Sequence, residues 1–223
     1  MLEIVGETLR AGAVVANAYR LERIVGEGGM GVVWEATELT SGRRLALKFL
    51  LEKRQADSRN QARVLREARA TMAINHPNIA AVHAVLETDA GVPFLVMELL
   101  EGKTFRSYLL RPSPLSPVEC ARILLPVVAA VGAAHDQRIV HRDLKPENIF
   151  LLRHPLNEVR VLDFGIAKQL PRVDANTIAG AAATDPSLTS TGAVLGTPVY
   201  MAPEQIFGDD DIDGRADIWS LGI

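Results

Sequence analysis

The chain has 223 residues, 48% of them hydrophobic and 23% charged, with a formal net charge of −3. That length suffices for one sizeable core or two small lobes, and the composition is that of an ordinary globular protein rather than a disordered or fibrous one. The charge gives no strong pull toward nucleic acid or an anionic membrane, and the single cysteine, Cys120, excludes an internal disulfide.

Residues 1–18 are weakly patterned and are expected to form a leader; they lack the basic-then-apolar order of a signal peptide. Tyr19 to Val25 alternates as a half-buried strand does, and Val32 to Ala36 reads as its partner. Between them lie Gly26, Glu27, Gly28, Gly29, Met30 and Gly31. Glycines there let a hairpin approach a ligand closely, with backbone N–H groups free to face phosphates. A dinucleotide-binding loop is disfavoured because strand, not helix, succeeds the glycines. Arg44 to Leu51 is predicted as a third strand, with Lys48 in an otherwise apolar run, and a buried lysine needs a partner. A helix rich in Arg, Glu and Ala is predicted over Gln61 to Ile74. Ala80 to Glu87 and Val92 to Glu98 read as two more strands around a turn at Asp89-Ala90-Gly91.

From there the composition turns helical. Thr104 to Leu110 is a short predicted helix, and Pro112, Pro114 and Pro117 break the chain after it. Ser116-Pro117-Val118-Glu119 looks like a helix start, opening a mostly apolar helix over Pro117 to Gln137 that is expected to be a buried spine. Cys120 reads there as a small buried apolar residue, in keeping with a reducing compartment. The most apolar run, Ala121 to Ala134, is too short to span a bilayer and contains Pro126, so no membrane segment is expected within the chain.

The densest chemistry lies in His141-Arg142-Asp143-Leu144-Lys145-Pro146-Glu147-Asn148, with Asp163-Phe164-Gly165 after a short hairpin. A candidate general base, a cation, a carboxamide and a second carboxylate at this spacing suit phosphoryl transfer. That reaction needs an oriented hydroxyl, positive charge on the γ-phosphate and hard oxygen ligands for Mg²⁺. The order resembles the catalytic and metal loops of the Ser/Thr protein kinases, and most closely their bacterial, eukaryotic-like branch.

The resemblance implies an α+β, two-lobed fold: a small five-stranded sheet plus one helix, then a mainly helical lobe. It covers residues 19–223, with an N-terminal lobe over 19–100, a hinge at 98–102 and a partial second lobe over 103–223. It implies transfer of the ATP γ-phosphoryl group to Ser or Thr hydroxyls of proteins. Lys48, in Leu45-Ala46-Leu47-Lys48, would hold phosphates and pair with Glu67. Val25, the glycine loop, Val33 and Ala46 would cover the nucleotide, and Phe150 would lie under the adenine. Met97 would be the gatekeeper, with backbone groups of Glu98 and Leu100 binding the base. Asp143 would orient the hydroxyl, Lys145 would neutralise the γ-phosphate, and Asn148 and Asp163 would hold Mg²⁺, with Mn²⁺ as a substitute. His76 and His135 match positions that are structural in the family.

The segment ending in Gly196-Thr197-Pro198-Val199-Tyr200-Met201-Ala202-Pro203-Glu204 resembles the activation segment, and its length suggests mobility. Thr189 and Thr191 are the candidate phosphorylation sites and Arg142 the residue to bind that phosphate, through self-association and phosphorylation in trans; Thr197 would contact Asp143 and Lys145. The acidic run Asp209 to Asp213 reads as a solvated loop more readily than as a dock for basic substrates. Asp217 resembles the residue that braces the catalytic loop. The family pattern would continue past Ile223, so the domain is expected to be incomplete at its C-terminus, with Glu204 lacking its arginine partner. A cytoplasmic kinase domain is expected, in a protein that a membrane anchor elsewhere could tether. Two alternatives stay open: a catalytically inactive, ATP-binding pseudokinase or fragment acting as a binding module, and a small-molecule phosphotransferase, which generally lacks the Gly-Thr-Pro to Ala-Pro-Glu segment.

Overall fold

The computed structural model describes residues 2–4, 7–28, 31–50, 65–66, 68–153, 158–164, 198–209 and 211–223. Its centre is an antiparallel sheet in the order β3-β4-β5-β6-β8-β7. The strands are β3 (Val14–Val15), β4 (Tyr19–Gly28), β5 (Gly31–Glu38), β6 (Arg44–Leu50), β7 (Val82–Glu87) and β8 (Pro93–Glu98). Alternation divides the sheet into two faces. Val32, Trp34 and Ala36 of β5 pack with Leu21, Leu45, Leu47, Phe49, Phe94 and Val96 in one apolar cluster. Ala46, Leu95 and Met97 form another, joined by Val33, Leu99, Leu100 and Leu162.

Five of these strands are the predicted ones; the sixth lies within residues 1–18, the stretch expected to form a leader. Val14 and Val15 pair with Arg20 and Tyr19, and Leu9 and Val15 are buried in the first cluster. Ahead of them, β1 (Leu2–Ile4) and β2 (Glu7–Leu9) form a separate hairpin. The segment is too short for periodicity to show, and its place is set by the apolar surface it covers.

Among the described residues of the predicted 61–74 helix, 65–66 and 68–71 are helical. The next turn, His76-Pro77-Asn78-Ile79, is stitched to the second lobe. Ile79 bridges Val161 in parallel, Ala80 N–H donates to Val161 O at 3.0 Å, and Asn78 Nδ2 donates to Val159 O at 3.0 Å.

Beyond the hinge the chain does not turn helical at once. Gly102–Thr104 (β9) pairs with β10 (Ile149–Leu152), which pairs in turn with β11 (Val159–Val161). The approach is so close that a Cβ on Gly102 would lie 2.0 Å from Leu151 O, so only glycine fits. Thr104 then caps the helix Phe105–Leu109. The helix Pro117–Asp136 starts with a capping box between Ser116 and Glu119, the expected signature. It runs through Pro126 for 20 residues, long and apolar enough to cross a membrane. Ile123, Val127, Ala130, Val131 and Ala134 pack instead against Ile149, Leu151, Val159 and Val161. Burial is one-sided, less than the expected buried spine: Val118, Leu125 and Val128 are exposed. The helices Pro203–Phe207 and Arg215–Gly222 complete the described chain.

Candidate active site

The catalytic loop takes its shape from one buried carboxylate. Asp217, on the last helix, accepts the His141 N–H on Oδ2 and the Arg142 N–H on Oδ1, each at 2.8 Å, and Oδ2 also meets His135 Nε2 at 2.8 Å. Gln205 Nε2 donates to Arg142 O at 2.8 Å. Held on both sides, Arg142 keeps φ at +65°, a left-handed conformation that costs a non-glycine residue about 1–2 kcal/mol. His141 is fully buried against Phe164, with ring centroids 4.7 Å apart. Its Nδ1 accepts the Asp143 N–H at 3.2 Å, so the ring proton lies on Nε2, which donates to Leu162 O at 2.7 Å. One imidazole thus ties the loop of Asp143 to the stretch that leads into Asp163.

Asp143, Lys145 and Asn148 come together as expected. Lys145 Nζ is 2.8 Å from Asp143 Oδ2, and Asn148 Nδ2 donates to Asp143 O at 2.7 Å and to Oδ2 at 3.1 Å. Asp143 Oδ1 makes no hydrogen bond among the described residues, leaving a lone-pair site for an incoming donor. Asn148 spends its amide hydrogens on Asp143, so its Oδ1 is the atom it has to offer.

Asp163, at φ +61°, forms an ion pair with Lys48 across the two lobes, Nζ to Oδ1 2.6 Å. Burial alone would raise the Asp163 carboxyl; the Lys48 ammonium outweighs it and holds the group below the usual carboxylate range. Lys48 was expected to be held by Glu67, which lies outside the described residues. An ionised carboxylate and a carboxamide oxygen are hard donors, so Asp163 and Asn148 fit Mg²⁺ chemically.

The residues expected to cover the nucleotide lie together in part. Val33, Ala46, Met97 and Leu100 share one apolar cluster, and Leu162, which sequence reasoning did not single out, belongs to it. The signal for Leu162 was its position next to Asp163. The Glu98 N–H is committed to Ala81 O at 3.0 Å, which narrows its contribution to the carbonyl, whereas the Leu100 N–H has no backbone partner among the described residues. Phe150 is half-buried beside Gly102, at the end of the hinge. Val25 and Glu27 lie exposed on β4, Gly26 is partly buried, and Gly28 pairs with Gly31 at the hairpin end. Gly29, Met30, Thr189, Thr191 and Thr197 lie outside the described residues.

Residues 19–223 match the family model described as the protein kinase domain. The chain is 39% identical over 214 residues to serine/threonine-protein kinase pkn3 of Myxococcus xanthus, covering 95% of this chain and 37% of that protein. It is 39% identical over 218 residues to PknA of Mycobacterium tuberculosis, a serine/threonine-protein kinase, covering 96% and 47%. It therefore spans less than half the length of these relatives. The kinase domain of Mycobacterium tuberculosis PknI superposes with a TM-score of 0.72 at 28% identity, covering 96% of this chain and 72% of that one.

Proposed function

Because the chain belongs to the protein kinase family, we propose that it is the catalytic part of a protein Ser/Thr kinase that transfers the ATP γ-phosphoryl group to Ser or Thr hydroxyls. The observation that carries this reading is the meeting of Lys48 with Asp163 at 2.6 Å, beside the Asp143–Lys145–Asn148 cluster. Residues 19–100 form the nucleotide-holding lobe, 98–102 the hinge, and 103–223 the lobe that carries the catalytic loop.

In this reading Val33, Ala46, Met97 and Leu162 sandwich the base, and the Leu100 N–H and Glu98 carbonyl bind its edge. Asp163 and Asn148 Oδ1 hold Mg²⁺, which neutralises phosphate charge when bound. Asp143 orients the substrate hydroxyl on its free Oδ1 and takes its proton as the new P–O bond forms and ADP leaves. Lys145, 2.8 Å from Asp143, stabilises the charge on the transferred group. Glu67, Gly29 and Met30 take the roles that the family gives them, and the domain sits in the cytoplasm.

The test is phosphoryl transfer from labelled ATP by the full-length protein, run beside a thermal-shift measurement with Mg-ATP. Lys48→Ala and Asp163→Asn are each expected to abolish transfer while the circular-dichroism melt stays cooperative. Near-wild-type turnover in either variant would overturn the assignment.

Regulation is centred on Arg142, whose Nε is buried with no hydrogen-bond partner among the described residues. A phosphate on Thr189 or Thr191, added by a second copy, brings about two negative charges to pair with it. Mass spectrometry of active protein is expected to find phosphate there, and the double Thr189→Ala, Thr191→Ala change to lower turnover at least about tenfold, ~1.4 kcal/mol in barrier. Full activity in the double variant would leave Arg142 a structural residue.

A further inference from the structure

Glu35 is an unexpected residue where it stands. On β5 it pairs with Ala46 of β6 and Arg23 of β4, and the next pair inward is Val33 with Lys48. Cross-strand partners share a face, and so do residues two apart. Glu35 therefore lies on the nucleotide face, one step out from the roof, with its side chain only 8% exposed. A bare buried carboxylate there would cost desolvation and repel an anionic ligand.

Two arginines neutralise it. Arg44 Nε and Nη2 both reach Oε1, at 2.7 and 2.6 Å. Arg23 Nη2 lies 2.7 Å from Oε2, in charge contact without an aligned N–H. The third nitrogen of Arg44, Nη1, reaches Glu101 Oε1 at 3.6 Å. Glu101 comes after Leu100 in the hinge and precedes Gly102, whose backbone is wedged against Leu151. One guanidinium thus bridges a carboxylate of the sheet and a carboxylate of the hinge.

We propose that Glu35 is a positioning residue for nucleotide binding: it fixes Arg44, and Arg44 holds the hinge at Glu101. This rests on the kinase reading above. An exposed Arg–Glu pair by itself contributes little, largely because two long side chains must be ordered. Arg44 is already ordered by its buried partner, so gripping Glu101 costs little further entropy. The four charges sum to zero, which keeps the outer roof neutral toward the ligand. Holding Glu101 also limits the drift of Leu100, whose N–H faces the base.

The test measures the Mg-ATP dissociation constant of the full-length protein together with KM and kcat. Arg44 and Glu101 are 54% and 62% exposed, and Arg23 stays beside Glu35 when Arg44 is replaced, so each variant's thermal melt is recorded with its binding to separate lost grip from lost fold. Arg44→Ala and Glu101→Gln are each expected to weaken Mg-ATP binding about threefold or more, with kcat at saturation within about twofold. The double variant is expected to be no weaker than Arg44→Ala alone, because both remove the same bridge. Glu35→Gln, which keeps the shape but not the charge, should move KM in the same direction. Arg44→Lys should recover part of the loss, since an ammonium cannot grip both carboxylates at once. Arg43→Ala is the control, because Arg43 turns to His83 at 3.1 Å instead. Unchanged binding in Arg44→Ala, or losses that add fully in the double variant, overturn the inference. Failure of the wild-type protein to bind Mg-ATP would overturn the kinase reading instead.

Discussion

Arg142 and Asp163 carry the two left-handed backbones of the site, and each is held by contacts remote in sequence. For Arg142 the holders are Asp217 and Gln205. The strain can be measured by comparing two truncations. Arg142→Gly and Arg142→Ala both remove the guanidinium, but only alanine retains the left-handed penalty. The glycine variant is expected to be more stable by about 1 kcal/mol in urea denaturation. Equal midpoints would mean that Arg142 is not strained. At this scale much was legible in the sequence: Asp143, Lys145, Asn148 and Asp163 lie within a few residues of one another, and the chemistry that picks them out is local. Pairing at a distance could not be read. Nothing in the order of residues says that Lys48 meets Asp163, or that Glu35 is gripped by Arg23 and Arg44.

Among the elements, the helix Pro117–Asp136 shows how a cap is set by charge. Glu119 accepts the Ser116 N–H and hydroxyl, each at 2.9 Å, and lies 2.9 Å from Arg111. The Ser116 backbone bond, then its hydroxyl, then Arg111 push the Glu119 carboxyl down to about 2. A carboxyl depressed in the folded state stabilises fully above its unfolded value, near 4.3, and loses that contribution as pH falls toward about 2. Carboxyl NMR titration is expected to find Glu119 well below the usual range, and Ser116→Ala to move it upward. An unmoved midpoint would assign the shift to the Ser116 backbone N–H and Arg111. The cap was legible because its signature spans four residues. The strand β9 was not: Gly102–Thr104 is too short for alternation, and it exists because Leu151 lies beside it.

On the scale of the whole molecule, the lobes share backbone hydrogen bonds as well as the hinge. The turn Asn78–Ala80 pairs with β11, and Asn78 adds a side-chain bond to Val159. The two tryptophans report on the two sides: Trp34 in the sheet core and Trp219 on the last helix. Single-tryptophan forms, Trp34→Phe and Trp219→Phe, are expected to unfold at the same urea concentration once each variant's own stability change is allowed for. Asn78→Ala is expected to separate the two midpoints. Coincident transitions in Asn78→Ala would place the coupling in the hinge alone. The two-lobed order was readable from strand patterns giving way to helix, whereas this seam between the lobes was not, because it joins segments far apart in sequence.

Asp217 has a consequence in time. A ribosome adds residues in sequence order, so Lys48, Asp143 and Asp163 all emerge before the residue that shapes the loop around Asp143. Until that late helix docks, the N–H groups of His141 and Arg142 have no carboxylate to hold them, and Arg142 is free to relax from its left-handed backbone. The shape of the loop that carries Asp143 is therefore set by a side chain made well after it, and not by the loop's own residues alone.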